Sequence, residues 1–188
     1  MKLLLSIISV AFAWNASANQ INAVELFSNM LSQPVKTYAL NWTVGDRASY
    51  NIDMGIIKGT NEMLVREKND RGFWVEQNMD LGFAGQQKAE ILFDKNTGQI
   101  LEFIVNGQQQ DIPEPGEQEV IDMREDNITV PAGNFDCVYF KIRDKESGDI
   151  SEAWINPQLV PISGAIKQVS PGPMGLTVTL ELTSFEKN

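Results

Sequence analysis

From residue 38 onward, apolar and polar positions alternate with a period of two. Leu176, Val178, Leu180 and Leu182 alternate with Thr177, Thr179, Glu181 and Thr183. Phe73, Val75, Gln77, Met79 and Leu81 alternate with Trp74, Glu76, Asn78 and Asp80, and Val138, Phe140 and Ile142 with Cys137, Tyr139 and Lys141. Successive strand side chains point to opposite faces, so each run predicts a half-buried strand. Turn-formers separate the runs at Asn69-Asp70-Arg71-Gly72, Asp94-Lys95-Asn96-Thr97-Gly98, 145–149 and Gly45-Asp46. The last of these divides strands expected at 38–44 and 48–54. Such residues accept the left-handed backbone of tight hairpins, and the spacing predicts roughly ten antiparallel strands. Strands do not alternate with helices, as a parallel sheet requires.

Before residue 38 the pattern is different. Val24, Phe27 and Leu31 recur at helical spacing with Met30 beside them, predicting a short amphipathic helix over 23–32 that ends before Pro34. Met1-Lys2, an apolar run from Leu3 to Ala13, and Ala16-Ser17-Ala18 fit a secretory leader cleaved near Ala18. The run is too short to span a bilayer, which takes roughly 20 apolar residues. The expected organisation is therefore a leader over 1–18, a helical segment over 19–37 and one β domain over 38–188. The proline-rich stretch 112–119 is expected as a loop within that domain. A split there would leave a C-terminal piece small for a β fold without disulfides.

A sheet of about ten strands with one apolar face must close or curl to cover it. The fold class is accordingly mainly β: a single curled antiparallel sheet or open, incomplete β-barrel with a short N-terminal helix. Its concave face is to be shielded by the helix, by loops or by a bound apolar molecule.

Composition narrows the chemistry. The 188 residues carry 15 basic and 25 acidic side chains, a net charge of −10, which disfavours nucleic acid and anionic membrane surfaces. Without histidine there is no Ser-His-Asp or Cys-His system and no imidazole zinc site. The single cysteine, Cys137, closes no intrachain disulfide and anchors no lipid near the cleavage point. No cofactor or metal is expected, and the mature chain contains no second long apolar run.

The segment Val130-Pro131-Ala132-Gly133-Asn134-Phe135-Asp136-Cys137, leading into Val138–Ile142, resembles a recurrent element of uncharacterised exported bacterial β proteins. Ser151–Pro157, Leu159–Gly164 and Ala165–Gln168 continue the resemblance, and Trp42–Tyr50 matches the first hairpin of such proteins. The layout is similar to the periplasmic LolA/LolB lipoprotein-sorting fold, which implies an incomplete barrel that holds acyl chains. The chain departs from that fold in having one short helix where LolA-type carriers have a helical lid. It also lacks the anchoring cysteine of LolB. No functional residue transfers from LolA to a numbered position here, and shared layout alone does not carry function.

Among individual residues, Trp42, Trp74, Phe83, Phe93, Phe103, Tyr139 and Trp154 are spread over different strands. They are candidates to line a pocket for an acyl chain or aromatic ligand, against the alternative of ordinary core and cross-strand packing. Trp74 and Trp154 fall on the polar phase of their strands and suggest a second buried surface or a partner site. Cys137 reads as a small buried hydrophobe. Pro131 and Gly133 read as a turn, and 169–176 as a hairpin connection or a mobile rim. The carboxylates Asp122, Glu125 and Asp126 read as a solvated strand end, without calcium-loop spacing. These readings lead to a periplasmic or secreted, non-enzymatic protein that binds a lipid or lipoprotein acyl chain. An envelope protein–protein interaction module is the alternative, and a carboxylate-dependent enzyme a weaker one.

Overall fold

A computed structural model describes residues 40–112 and 117–188. The expected leader and the helix over 23–32 lie outside the described residues. The strands are β1 (Arg47–Asp53), β2 (Lys58–Lys68), β3 (Gly72–Asp80), β4 (Gln86–Asp94), β5 (Ile100–Val105) and β6 (Gln108–Gln109). They continue as β7 (Gln118–Val130), β8 (Gly133–Asp144), β9 (Ile150–Ile155), β10 (Ala165–Pro171) and β11 (Thr177–Glu186). All belong to one 11-stranded sheet in the order β6-β5-β4-β3-β2-β1-β11-β10-β9-β8-β7. Two hairpin-connected series, β1–β6 and β7–β11, thus meet where the first strand pairs antiparallel with the last.

The alternation in the sequence maps onto the faces of this sheet. Phe73, Val75, Gln77, Met79 and Leu81 are each at most 2% exposed, while Trp74 and Glu76 are half-buried and Asn78 and Asp80 exposed. Ala48, Tyr50, Ile52, Met63, Val65, Ile91, Phe103, Ile166, Leu180 and Leu182 join them in one core. β4 and β8 depart from one-sided burial: Ile91 and Leu92, neighbours on opposite faces of β4, are both fully buried. On β8, Cys137 and Tyr139 are buried on one face and Ile142 on the other, because Arg124 and Trp154 cover the Tyr139 side.

The sheet curls without closing. Three strands separate β7 from β11 in the sheet, yet the Ala132 amide at the β7–β8 tip donates to the Leu182 carbonyl at 3.0 Å. Phe135 and Phe185 meet edge to face at 6.2 Å in the same place. A bulge helps the bend. Ser49 pairs with Ser184 and Tyr50 with Leu182, leaving Thr183 as the extra residue, whose hydroxyl donates to the Ser49 carbonyl at 3.0 Å. β6 and β7 remain the two edges, so this is an open sheet and not a closed barrel.

Most expected turns are present. Pro131-Ala132 is the two-residue link between Val130 and Gly133, and Gly133 takes a φ of 139°, a region that favours glycine. Residues 171–177 form a plain hairpin connection with a short 3₁₀ turn at Pro173–Gly175. The strand expected at 38–44 is corrected over its described part, where 40–44 make no sheet pairing. The carboxylate of Asp46, fully buried, instead accepts the amides of Thr43 and Asn188, each at 2.8 Å, and ties both ends of the described chain into a turn. Among the described residues no helix is long and apolar enough to cross a membrane.

Candidate functional site

The seven aromatic candidates fall into separate places. Trp42 enters from the segment before β1 and meets Phe73 at 5.8 Å and Phe93 at 5.3 Å, both edge to face. Phe103 is fully buried in the same core. Trp42, Phe93 and Phe103 therefore sit on the apolar side. Phe83, on the 3₁₀ turn Gly82–Ala84 between β3 and β4, is 83% exposed.

Tyr139 and Trp154 form a second group on the polar face. Register sets Arg124, Tyr139, Trp154, Lys167 and Glu181 side by side across β7, β8, β9, β10 and β11. The Tyr139 and Trp154 rings are 4.9 Å apart, the Arg124 guanidinium lies 3.8 Å above the tyrosine, and Lys167 lies 5.9 Å from the indole. Lys167 also pairs with Glu181 at 2.7 Å. The Trp154 indole donates to Asp126 at 3.0 Å. That bond, with the Asn127 amide and the Arg124 charge, holds the Asp126 carboxyl below the usual range. Burial, then Glu152, pushes the Tyr139 phenol up. Asp126 thus takes part in a cross-strand network at mid-strand, which corrects its reading as a solvated strand end.

Trp74 occupies a third place, half-buried opposite Leu92 with Arg66 5.7 Å above its ring. Arg66 pairs with Glu90, and Lys88 with Glu76 at 2.9 Å. The Asn78 amide, then Lys88, holds the Glu76 carboxyl down. The tryptophans expected on the polar phase are there, each beneath a cation.

Polar side chains buried on the apolar face were not singled out from the sequence as candidates. Asn61 is 1% exposed and Gln168 7%. The Asn61 carbonyl accepts from Gln77 Nε2 at 3.0 Å, but Asn61 Nδ2 and Gln168 Nε2 have no hydrogen-bond partner. Asn61 lies opposite Tyr50, and Gln168 opposite Leu180, so both belong to the core face. The signal for them was an amide on the inward phase of a strand, as Gln77 already showed. Nearby, the buried Tyr50 hydroxyl donates to the Ala165 carbonyl at 3.1 Å and lies 3.0 Å from the Ser163 hydroxyl, and burial pushes it up to about 12.

Cys137 is a free, buried thiol raised by burial and by Asp126 and Asp136, the opposite of nucleophile activation. A half-open cleft of about 310 Å³ on the polar face is lined by Asn51, Asp53, Lys58, Thr179 and Glu181, with Lys58 and Asp53 paired at 3.0 Å. Among the described residues no three His, Cys, Asp or Glu side chains gather as a metal site.

No protein-family model matches the chain, and no curated protein resembles it in sequence. Solved structures do. A Bacteroides fragilis protein described as exported and of YmcC-like fold is 13% identical, with a TM-score of 0.41 over 80% of this chain and 99% of that one. A Parabacteroides distasonis protein described as a lipoprotein is 14% identical, with a TM-score of 0.40 over 81% of this chain and 100% of the other. MucB is 10% identical, with a TM-score of 0.46 over 78% of this chain, which spans 54% of MucB.

Proposed function

We propose that this chain is an exported binding protein that holds an amphiphile, the acyl chain of a lipid or lipoprotein with its carbonyl end, against the apolar face of the sheet. The observation that carries the reading is the pair of unpartnered amide donors, Asn61 Nδ2 and Gln168 Nε2, buried on that face. Burying an amide donor without an acceptor costs about 1–3 kcal/mol, a cost that a ligand carbonyl or carboxylate offsets. The tail contributes about 25 cal/mol per Å² of apolar surface removed from water and needs no special chemistry. The half-buried Trp42 and Phe93 supply aromatic surface on this side, over the fully buried Phe103. Export rests on the leader pattern of residues 1–18.

The test is titration with a dansyl-labelled undecanoic acid. Saturable binding, displaced by oleate and weakened about tenfold by Asn61→Leu or Gln168→Leu, is expected from the loss of one such hydrogen bond. Absence of saturable binding, or wild-type affinity retained in both variants, would overturn the reading.

A protein-interaction role is favoured by one observation. Edge strand β7 leaves Val120 53% and Met123 63% exposed, with one side unpaired in the sheet. A binding partner lost on Val120→Lys and Met123→Lys, in a chain that binds no dansyl probe, would select this role instead.

A further inference from the structure

Three neighbouring hairpin turns on one rim of the sheet carry no charged residue. β1–β2, β3–β4 and β10–β11 are neighbours in the sheet order, and their turns open on the same rim. The turns read Met54-Gly55-Ile56-Ile57, Leu81-Gly82-Phe83-Ala84-Gly85 and Gly172-Pro173-Met174-Gly175-Leu176, without a charged residue among them. On the opposite rim of the same strands, the β2–β3 and β4–β5 turns are the charged Asn69-Asp70-Arg71 and Asp94-Lys95-Asn96-Thr97, while the β7–β8 and β9–β10 connections farther along that rim are uncharged.

Within the apolar turns, Met54, Ile57 and Leu81 point into the core, each at most 4% exposed. Ile56 and Phe83 point away, at 82% and 83% exposure. Glycines at positive φ, Gly55, Gly82 and Gly85, shape the turns that hold them out. The two tips are close: the Lys58 carbonyl lies 3.6 Å from where a Cβ on Gly82 would be, and hairpins two strands apart have centres about 10 Å apart. On either side the apolar stretch ends in polar turns, Asn106-Gly107 after β5 and 145–149 between β8 and β9.

We propose that this rim docks on a neutral lipid bilayer by inserting Ile56 and Phe83. Two side chains standing out singly on separate tips present no continuous face to pack against a protein, whereas a fluid interface closes around each. An aromatic and an aliphatic tip suit insertion at the headgroup–acyl boundary, with the paired Asp53 and Lys58 and with Asp80, at the strand ends below the tips, left at headgroup level. The net charge of −10 makes the attraction apolar and not electrostatic. Membrane docking is independent of whether the core face carries an amphiphile.

The experiment is flotation of the mature chain with phosphatidylcholine vesicles, alongside Ile56→Asp, Phe83→Asp and Phe83→Trp. The wild type floats with the vesicles, and each aspartate variant lowers the partition coefficient about tenfold or more, the loss expected for one inserted apolar side chain. Phe83→Trp gives a blue-shifted emission quenched by brominated phosphatidylcholine, and adding phosphatidylglycerol weakens binding. Unchanged circular dichroism and dansyl-probe binding in the aspartate variants separate this outcome from loss of the core site. Wild-type chain that stays with the buffer overturns the proposal. So does equal flotation of all variants, dependence on anionic lipid, or capture only by vesicles that contain another protein.

Discussion

The indole N–H of Trp154 on β9 donates to the Asp126 carboxylate on β7 at 3.0 Å, reaching across β8. The bond secures the edge strand to the body of the sheet, and Tyr139 fills the space between under Arg124. Trp154→Ala is expected to cost about 2 kcal/mol, below the range for a fully buried aromatic because the indole is half-buried. Chemical denaturation gives the cost, and faster amide exchange confined to β7 locates it. Trp154→Phe keeps most of the packing and lets the Asp126 carboxyl move up toward its usual range, which carbon-detected titration reads directly.

Tyr50 sets the alkaline limit. Its hydroxyl is buried and pushed up to about 12, whereas in the unfolded chain it ionises near 10. Above pH 10 the unfolded state loses this proton first, so stability falls from about pH 10 and levels off near pH 12, by about 2–3 kcal/mol. Tyr50→Phe should flatten that limb in urea midpoints measured from pH 8 to 12.

The acid limb belongs to turn aspartates. Asp94 accepts the amides of Thr97 and Asn96, Asp144 those of Ser147 and Glu146, and both carboxyls are held below the usual range by those bonds. Carboxylates depressed in the folded state stabilise it above the unfolded range near pH 4, and that contribution disappears as pH falls through their lowered values. Asp94→Ala with Asp144→Ala should make the urea midpoint less sensitive to pH between about 4 and 2.

Gly72 opens β3 where there is no room for a side chain. A Cβ there would stand 1.8 Å from the Phe93 carbonyl oxygen. Gly72→Ala must move the backbone of β3 or β4 and is expected to cost about 3 kcal/mol. Gly107→Ala, which meets nothing within 4 Å but has a φ of 78°, should cost less. Thermal melts of the two variants make the comparison.

Much of the sheet was legible because its alternation is local. The Phe73–Leu81 run and the turns at 69–72, 94–98 and 130–133 follow from neighbours in sequence. Segment 40–44 was misread because the side chain that reshapes it, Asp46, acts through Asn188 at the other end of the chain. The same limit applies to the aromatic candidates. Period two places Trp74 and Trp154 on the polar face, but only the register of five strands sets Arg124, Tyr139, Trp154, Lys167 and Glu181 in one row. Asn61 and Gln168 were passed over because an isolated amide in an alternating strand looks like a solvent-facing residue until the opposite strands fix its side.

Native mass spectrometry of the chain, purified from its own host without detergent, addresses the ligand most directly. The core-face reading predicts a non-covalent adduct of lipid mass that collisional activation releases and whose occupancy falls in Asn61→Leu and Gln168→Leu. A bare chain, with both amides bonded only to ordered water in a crystal structure, would contradict it.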